Sequence, residues 1–307
     1  MSTTGPRSGF ACLVGRPNVG KSTLTNALVG AKVAITSTRP QTTRHTVRGV
    51  ANRPGGQLIL VDTPGLHRPR TLLGQRLGDL VRATLAEVDV AVVCLPADED
   101  IGPGDRYLVR TLARTRDKPV VAAVTKTDRV DRARLAAALT AVDRLGEQEQ
   151  VDFAHIVPVC AVSGEQVELL ADLLVELLPE GPPLFPEGQL TDEPDQVMVA
   201  ELIREAALQL LRDELPHSLA VVVEEMVPRP DRPADRPLLD VRADLYVERA
   251  SQKPIILGTR GERLKQIGSQ ARAHIEALLG TPVFLDLHVR VAKDWQQDPH
   301  ALRRLGW

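Results

Sequence analysis

Gly15-Arg16-Pro17-Asn18-Val19-Gly20-Lys21-Ser22 follows an apolar run at 10–14 and opens a helical pattern at 21–29. It is G-x-x-x-x-G-K-[ST] in the strand–loop–helix setting that the pattern requires. The glycines let the backbone curl so that N–H groups converge on an anion at a helix N-terminus, where the dipole favours negative charge. Lys21 adds a point charge for β- and γ-phosphates, Ser22 a hydroxyl for Mg²⁺, and Thr23 continues the first helical turn. The plain alternative, a glycine-rich turn, does not call for Lys-Ser in register.

Working outward, runs at 58–61, 88–95, 119–124 and 156–159 are apolar and β-branched, as strands covered on both faces are. Helical patterns at 74–87, 103–115, 131–145 and 165–178 fall between or after them. This order predicts a mostly parallel sheet with helices on both faces. Three more loops then share an edge with the first. Asp62-Thr63-Pro64-Gly65 puts a carboxylate where it can hold a Mg²⁺ shell and a glycine N–H where a γ-phosphate would lie. Thr125-Lys126-Thr127-Asp128 puts a carboxylate where it can accept both N–H donors of a guanine edge, which adenine lacks. Cys160-Ala161 follows the last strand, where a backbone N–H can meet the guanine carbonyl oxygen.

With 307 residues the chain has room for two domains. Hydrophobic residues make up 43% and charged residues 25%, a globular composition. No apolar run approaches the ~18 residues of a membrane span, and the polar N-terminus does not read as a signal peptide. Cys12, Cys94 and Cys160 are scattered and lack metal-ligand spacing, which suits reduced thiols in a cytoplasm. The formal charge of -2 argues against a chain coated for nucleic acid, but only as a total. The domains read as 8–178, a proline-rich linker at 179–195, and 196–307.

In the second domain a helix at 197–212 precedes strands at 218–226 and 240–248, a helix pair around 258–261, and a strand at 283–292. Gly258-Thr259-Arg260-Gly261 is a G-x-x-G turn between helices, which lets a phosphodiester backbone approach closely. Ser251 is expected to cap the first of these helices, with Pro254 in its first turn. Residues 249–293 hold eight Lys/Arg against three acids, and residues 196–248 six Arg against eleven acids. That division, hidden in the total, predicts a basic RNA surface formed by Arg249, Lys253, Gly258, Thr259, Arg260, Gly261 and Lys265.

Taken together, these loops with the segment Gln41-Thr42-Thr43-Arg44-His45 resemble the Era family over nearly the whole chain. The resemblance implies a P-loop GTPase domain followed by a smaller α+β KH-type domain. It implies GTP and GDP as ligands, Mg²⁺ held by Ser22, Thr43 and Asp62, and GTP hydrolysis served by Lys21, Thr43, Gly65 and Asn18. Thr43 is chosen as the switch threonine, with Thr42 as the alternative. Asn18 matches the asparagine that relatives use for K⁺, a cation that can stand in for an arginine finger. Nucleotide contacts fall on Gly15 to Thr23, Asp62 to Gly65, Thr125, Lys126, Asp128, Cys160 and Ala161. The implied partners are the 3′ region of 16S ribosomal RNA and the 30S subunit, in small-subunit assembly. Peripheral contact with the inner face of the cell membrane is implied as well, and a monomer is the default. Two positions depart from the family's usual pattern: Thr125 stands for Asn and Cys160 for Ser. Position 66 is Leu, where Ras-like enzymes carry the glutamine that orients water. Leu66 keeps open an RNA-binding module without turnover, and Asp128 argues against an ATPase.

Overall fold

The computed structural model describes residues 5–39, 42–65, 71–113, 118–211, 218–230, 232–233 and 236–306. The chain divides into two compact units, Met1–Pro69 with Arg76–Asp192, and Arg70–Gln75 with Glu193–Trp307. Gln41 and Leu66 of the sequence reading lie outside the described residues.

The first unit holds six strands: β1 (Arg7–Val14), β2 (Val47–Arg53), β3 (Gly56–Asp62), β4 (Val90–Pro96), β5 (Val120–Thr125) and β6 (Phe153–Pro158). They lie in the order β2-β3-β1-β4-β5-β6, and all pairings are parallel except β2 with β3. Helices α1 (Lys21–Val29), α2 (Leu72–Glu87), α3 (Pro103–Leu112), α4 (Arg132–Glu149) and α5 (Val167–Leu177) connect or follow them. Alternate residues of β1 explain the two-faced cover. Ala11 and Leu13 pack with Leu24 and Leu28 of α1 and Leu170 and Leu174 of α5. Cys12 and Val14 pack with Val81 of α2, Leu108 of α3 and Val142 of α4. Consecutive strands β3 and β4 flank β1 on opposite sides, so the loop after β1 lies at the topological switch point, where α/β sheets bind ligands.

β2 was absent from the sequence reading. VRGVANR carries two arginines and a glycine, and as an antiparallel edge strand it lacks the continuous apolar run of its buried neighbours. Residues 179–192, read as linker, belong to the first unit. Gly181 N–H donates to Pro6 O at 2.9 Å, and Val50 N–H of β2 donates to Leu190 O at 2.8 Å. Gln57, only 1% exposed, accepts from the Leu184 and Phe185 N–H groups at 2.8 Å each and donates to Phe185 O at 2.9 Å. Proline supplies the extended conformation, and one buried amide supplies the attachment.

The second unit has α6 (Asp195–Leu210), β7 (Ala220–Pro228), β8 (Leu239–Val247), α7 (Lys253–Leu257), α8 (Glu262–Leu279), β9 (Val283–Val291) and α9 (Pro299–Arg304). The sheet order is β7-β8-β9, antiparallel and then parallel. Val241, Ala243, Leu245 and Val247 of β8 are buried, as are Leu202 and Ile203 of α6 and Ile267, Ala271 and Ile275 of α8. The buried Trp295 ring donates from Nε1 to Ser218 O at 3.0 Å. Ser251 does not cap α7; it lies within a 3-10 turn, and the side chain of Gln252 instead accepts from the Arg249 N–H at 2.9 Å.

Candidate functional site

The loop after β1 is shaped by close approach and left-handed turns. A Cβ on Gly15 would stand 2.9 Å from Cys94 O, and Asn18 and Gly20 have φ of 63° and 99°. The first helical bond of α1 is Leu24 N–H to Gly20 O, so the N–H groups of Lys21, Ser22 and Thr23 have no partner inside the helix. Lys21 Nζ is buried and donates to Gly15 O at 3.3 Å and Arg16 O at 3.0 Å, curled over its own loop. Arg16 turns its guanidinium to Asp105 at 2.7 Å and Glu99 at 3.1 Å, and contributes to the loop through its backbone.

Beside this loop three oxygen groups converge. Ser22 Oγ donates to Asp62 Oδ2 at 2.6 Å, Thr43 Oγ1 donates to the same oxygen at 3.1 Å, and the two hydroxyls are 2.9 Å apart. Asp62 Oδ1 is buried with no hydrogen-bond partner. Burial pushes the Asp62 carboxyl up from its ordinary pKa, against the opposing pull of Lys21 and the two hydroxyls. Burial likewise pushes the Lys21 ammonium down, with Asp62 opposing. A hard divalent cation fits this donor set: an all-oxygen cluster in which one buried carboxylate oxygen has no hydrogen-bond partner. Thr42, the alternative, instead donates to Arg39 O at 2.7 Å. Thr63 Oγ1 ties its loop to Leu13 O at 2.7 Å, and Pro64 follows it. A Cβ on Gly65 would stand 2.7 Å from Pro17 N, so the two loops touch backbone to backbone. The Asn18 side chain donates to Thr38 O at 2.8 Å, across to the segment that leads to Thr43.

The loop after β5 meets the first loop from the other side. Thr125 Oγ1 donates to Val19 O at 2.6 Å, and Lys126, with φ of 59°, reaches Glu99 at 3.3 Å. Cys160 Sγ–H donates to Asp128 Oδ1 at 3.2 Å, so the thiol orients the carboxylate expected to read the base. Ala161 follows in the turn between β6 and α5. All three cysteines are free and buried, and burial pushes the Cys94 thiol up to about 12. The sequence reading missed the Cys160–Asp128 contact, which joins residues far apart in the chain.

In the second unit Gly258 (φ 70°), Arg260 (φ 52°) and Gly261 (φ 83°) make a left-handed turn between α7 and α8. A Cβ on Gly258 would stand 2.7 Å from Arg263 Cβ. A groove of about 490 Å³ runs from this turn between α8 and β9. Gly261 and Lys265 of the expected RNA residues line it, whereas Arg249, Lys253, Gly258, Thr259 and Arg260 do not. Arg272, one of the basic residues counted in 249–293, also lines it, and Leu264, Gly268, Ser269, Phe284, Leu285 and Leu287, which sequence reasoning missed, complete the lining. Helical spacing from Lys265 points to Gly268, Ser269 and Arg272; the strand residues carry no such signal.

Residues 10–126 match the family model described as 50S ribosome-binding GTPase, and residues 214–296 match the KH domain model. The chain is 69% identical over 301 residues to GTPase Era of Streptomyces coelicolor, covering 98% of this chain and 95% of that one. It is 63% identical to GTPase Era of Mycobacterium avium, covering 98% and 99%. Among solved structures it is similar to an Era variant of Aquifex aeolicus bound to GDP and AlF4⁻, with a TM-score of 0.92 at 37% identity over 98% of this chain and 99% of that one. It is equally similar, at a TM-score of 0.92 and the same identity and coverage, to Era in complex with MgGDPNP and nucleotides 1506-1542 of 16S ribosomal RNA.

Proposed function

The chain belongs to the Era family of GTPases, and from that premise we propose that it is a Mg²⁺-dependent guanine-nucleotide switch that binds the 3′ region of 16S ribosomal RNA during small-subunit assembly. The observation that carries the reading is the convergence of Ser22, Thr43 and the half-satisfied Asp62 beside the phosphate loop, in a chain that also carries the Gly258–Gly261 turn.

In this reading Ser22, Thr43 and Asp62 would hold Mg²⁺, which would offset charge on the β- and γ-phosphates. Lys21 leaves its loop carbonyls for the phosphates, joined by the N–H groups of Gly15 to Thr23. Gly65 N–H meets the γ-phosphate, Asp128 reads the guanine edge, and Cys160 holds that carboxylate with Ala161 beside it. Thr63, Pro64, Thr125 and Lys126 shape the loops. Binding at Thr43 and Gly65 orders their segments, and hydrolysis releases them. Asn18 with the Thr38 carbonyl offers oxygen ligands of the kind K⁺ takes, and K⁺ stimulation is part of the proposal. Residues 8–178 with the segment 179–192 bonded to them serve as nucleotide domain, and residues 196–307 as RNA domain. We place the protein as a monomer in the cytoplasm, with peripheral membrane contact resting on the family resemblance; no helix among the described residues is long and apolar enough to cross a membrane.

The test is binding of an RNA from the 16S 3′ end with GDP, a GTP analogue or no nucleotide, beside GTP hydrolysis in K⁺ and in Na⁺. Lys21→Ala should abolish nucleotide affinity and keep RNA binding. Gly258→Asp should do the reverse, because φ of 70° with ψ of -176° is glycine territory and a carboxylate would face the RNA backbone. Equal damage to both activities by either change would sink the two-site reading.

A further inference from the structure

A single strand laid in the groove of the second unit meets a chemical change at its far end. α8 and β9 run antiparallel across the short turn at 280–282, so Gly261 stands at one end of the groove and Phe284 at the other. Between Gly261 and Arg272 the helix covers about 17 Å. Near the turn the wall is glycine, lysine and aliphatic; at the far end it is an aromatic ring.

Phe284 is 51% exposed, in a chain with only four phenylalanines. It is the second residue of β9, which among the described residues pairs only with β8 and so lies at the sheet edge. The Arg229 guanidinium lies over its ring, 4.8 Å from the centroid. Asp240 fixes that guanidinium with contacts of 3.0 Å to Nε and 2.6 Å to Nη2. The ring is thus held on one side by a clamped cation while half of it remains open to solvent. Burial does not account for such a ring, since its neighbour in the strand, Val283, is the residue that enters the core. Arg272 lines the same end of the groove and supplies a cation for a phosphate.

We propose that Phe284, backed by Arg229 and Asp240, is a stacking platform for an RNA base leaving the groove, a subsite beyond the G-x-x-G clamp. The chemistry is π-stacking, which every base can make and which adds affinity without reading sequence. The proposal rests on the RNA-binding reading above, and its failure is separable from the failure of that reading.

The experiment measures binding of the full chain to a fluorescent single-stranded RNA octamer from the 16S 3′ end. Phe284→Ala should weaken binding roughly 5- to 150-fold, with the slope of log affinity against log salt unchanged, since no phosphate contact is lost. Phe284→Leu, which keeps apolar bulk and loses the π face, should fall with it; Phe284→Trp should bind at least as tightly as the parent. Octamers with a single abasic site, scanned along the strand, should contain one position at which parent and Phe284→Ala bind alike. Parent-like binding by Phe284→Ala or Phe284→Leu, or the absence of any such position, overturns the platform and leaves RNA binding intact. Failure of the parent to bind the octamer overturns both readings. Thermal unfolding of each variant, expected to match the parent because the ring is exposed, separates lost contact from lost fold.

Discussion

Cys160 donates its thiol to Asp128 at 3.2 Å from the loop after β6, a place in the bond that a serine hydroxyl could also fill. Thiols are weak donors, but the acceptor is charged, and such a bond contributes about 1 kcal/mol, or roughly fivefold in affinity. Cys160→Ala should therefore lose about that factor for GDP in calorimetric titration, and Cys160→Ser should lose nothing; an alanine variant equal to the parent would refute the role. Asp62 makes the second residue-scale prediction. Its carboxyl is pushed up by burial, so proton and Mg²⁺ compete for it at higher pH than at an ordinary aspartate. In the free protein, the raised folded pKa means that stability present at low pH is lost as pH rises through that value, and the bound cation restores it. The gain in melting temperature from Mg²⁺ at fixed GDP should grow with pH through the acid range, and Asp62→Asn should abolish the gain at every pH.

Among the elements, the attachment of residues 179–192 hangs on Gln57. Gln57→Leu removes partners from the Leu184 and Phe185 N–H groups and from the Phe185 carbonyl, at a cost of about 2 kcal/mol after water replaces some of them. Urea unfolding should register that loss, and limited proteolysis should cut within 179–192 sooner than in the parent. This contact also marks the border of what was legible from residues alone. The parallel strands, their helices and the loop from Gly15 to Ser22 could be read because apolar runs and the phosphate-loop spacing are local signals. β2 escaped because an edge strand needs no apolar run, and 179–192 passed for a bare linker because its partner lies more than 120 residues away. The oxygen cluster at Asp62 was readable as three residue types but not as a geometry; the choice of Thr43 over Thr42 depends on which hydroxyl reaches Asp62. Phe284 carried no pattern at all. Its meaning comes from Arg229, which the loop after β7 brings to it.

For the whole molecule, the net charge of -2 conceals a basic stretch at 249–293 and an acidic one before it. A molecule so divided would attract RNA through its basic stretch and gain little from its overall field. Each phosphate neutralised on a single strand contributes about 0.7 to the salt slope. With Lys265 and Arg272 in the groove and Arg260 in the turn at its end, a slope of about -2 is expected. Lys265→Ala should lower its magnitude by about 0.7 in titrations across salt concentrations, and an unchanged slope would remove Lys265 from the RNA path.

The attachment of residues 179–192 has a further consequence, for solubility. β2 is the outer strand of the six-stranded sheet, and an outer strand offers a row of unpaired amides to any passing chain. The Val50 N–H bond to Leu190, the Gly49–Thr191 bridge and the Arg48–Asp192 ion pair cover that row. The proline-rich segment is therefore also a guard against edge-to-edge aggregation, and a first domain cut at 178 would expose an adhesive border that one cut at 192 keeps sealed.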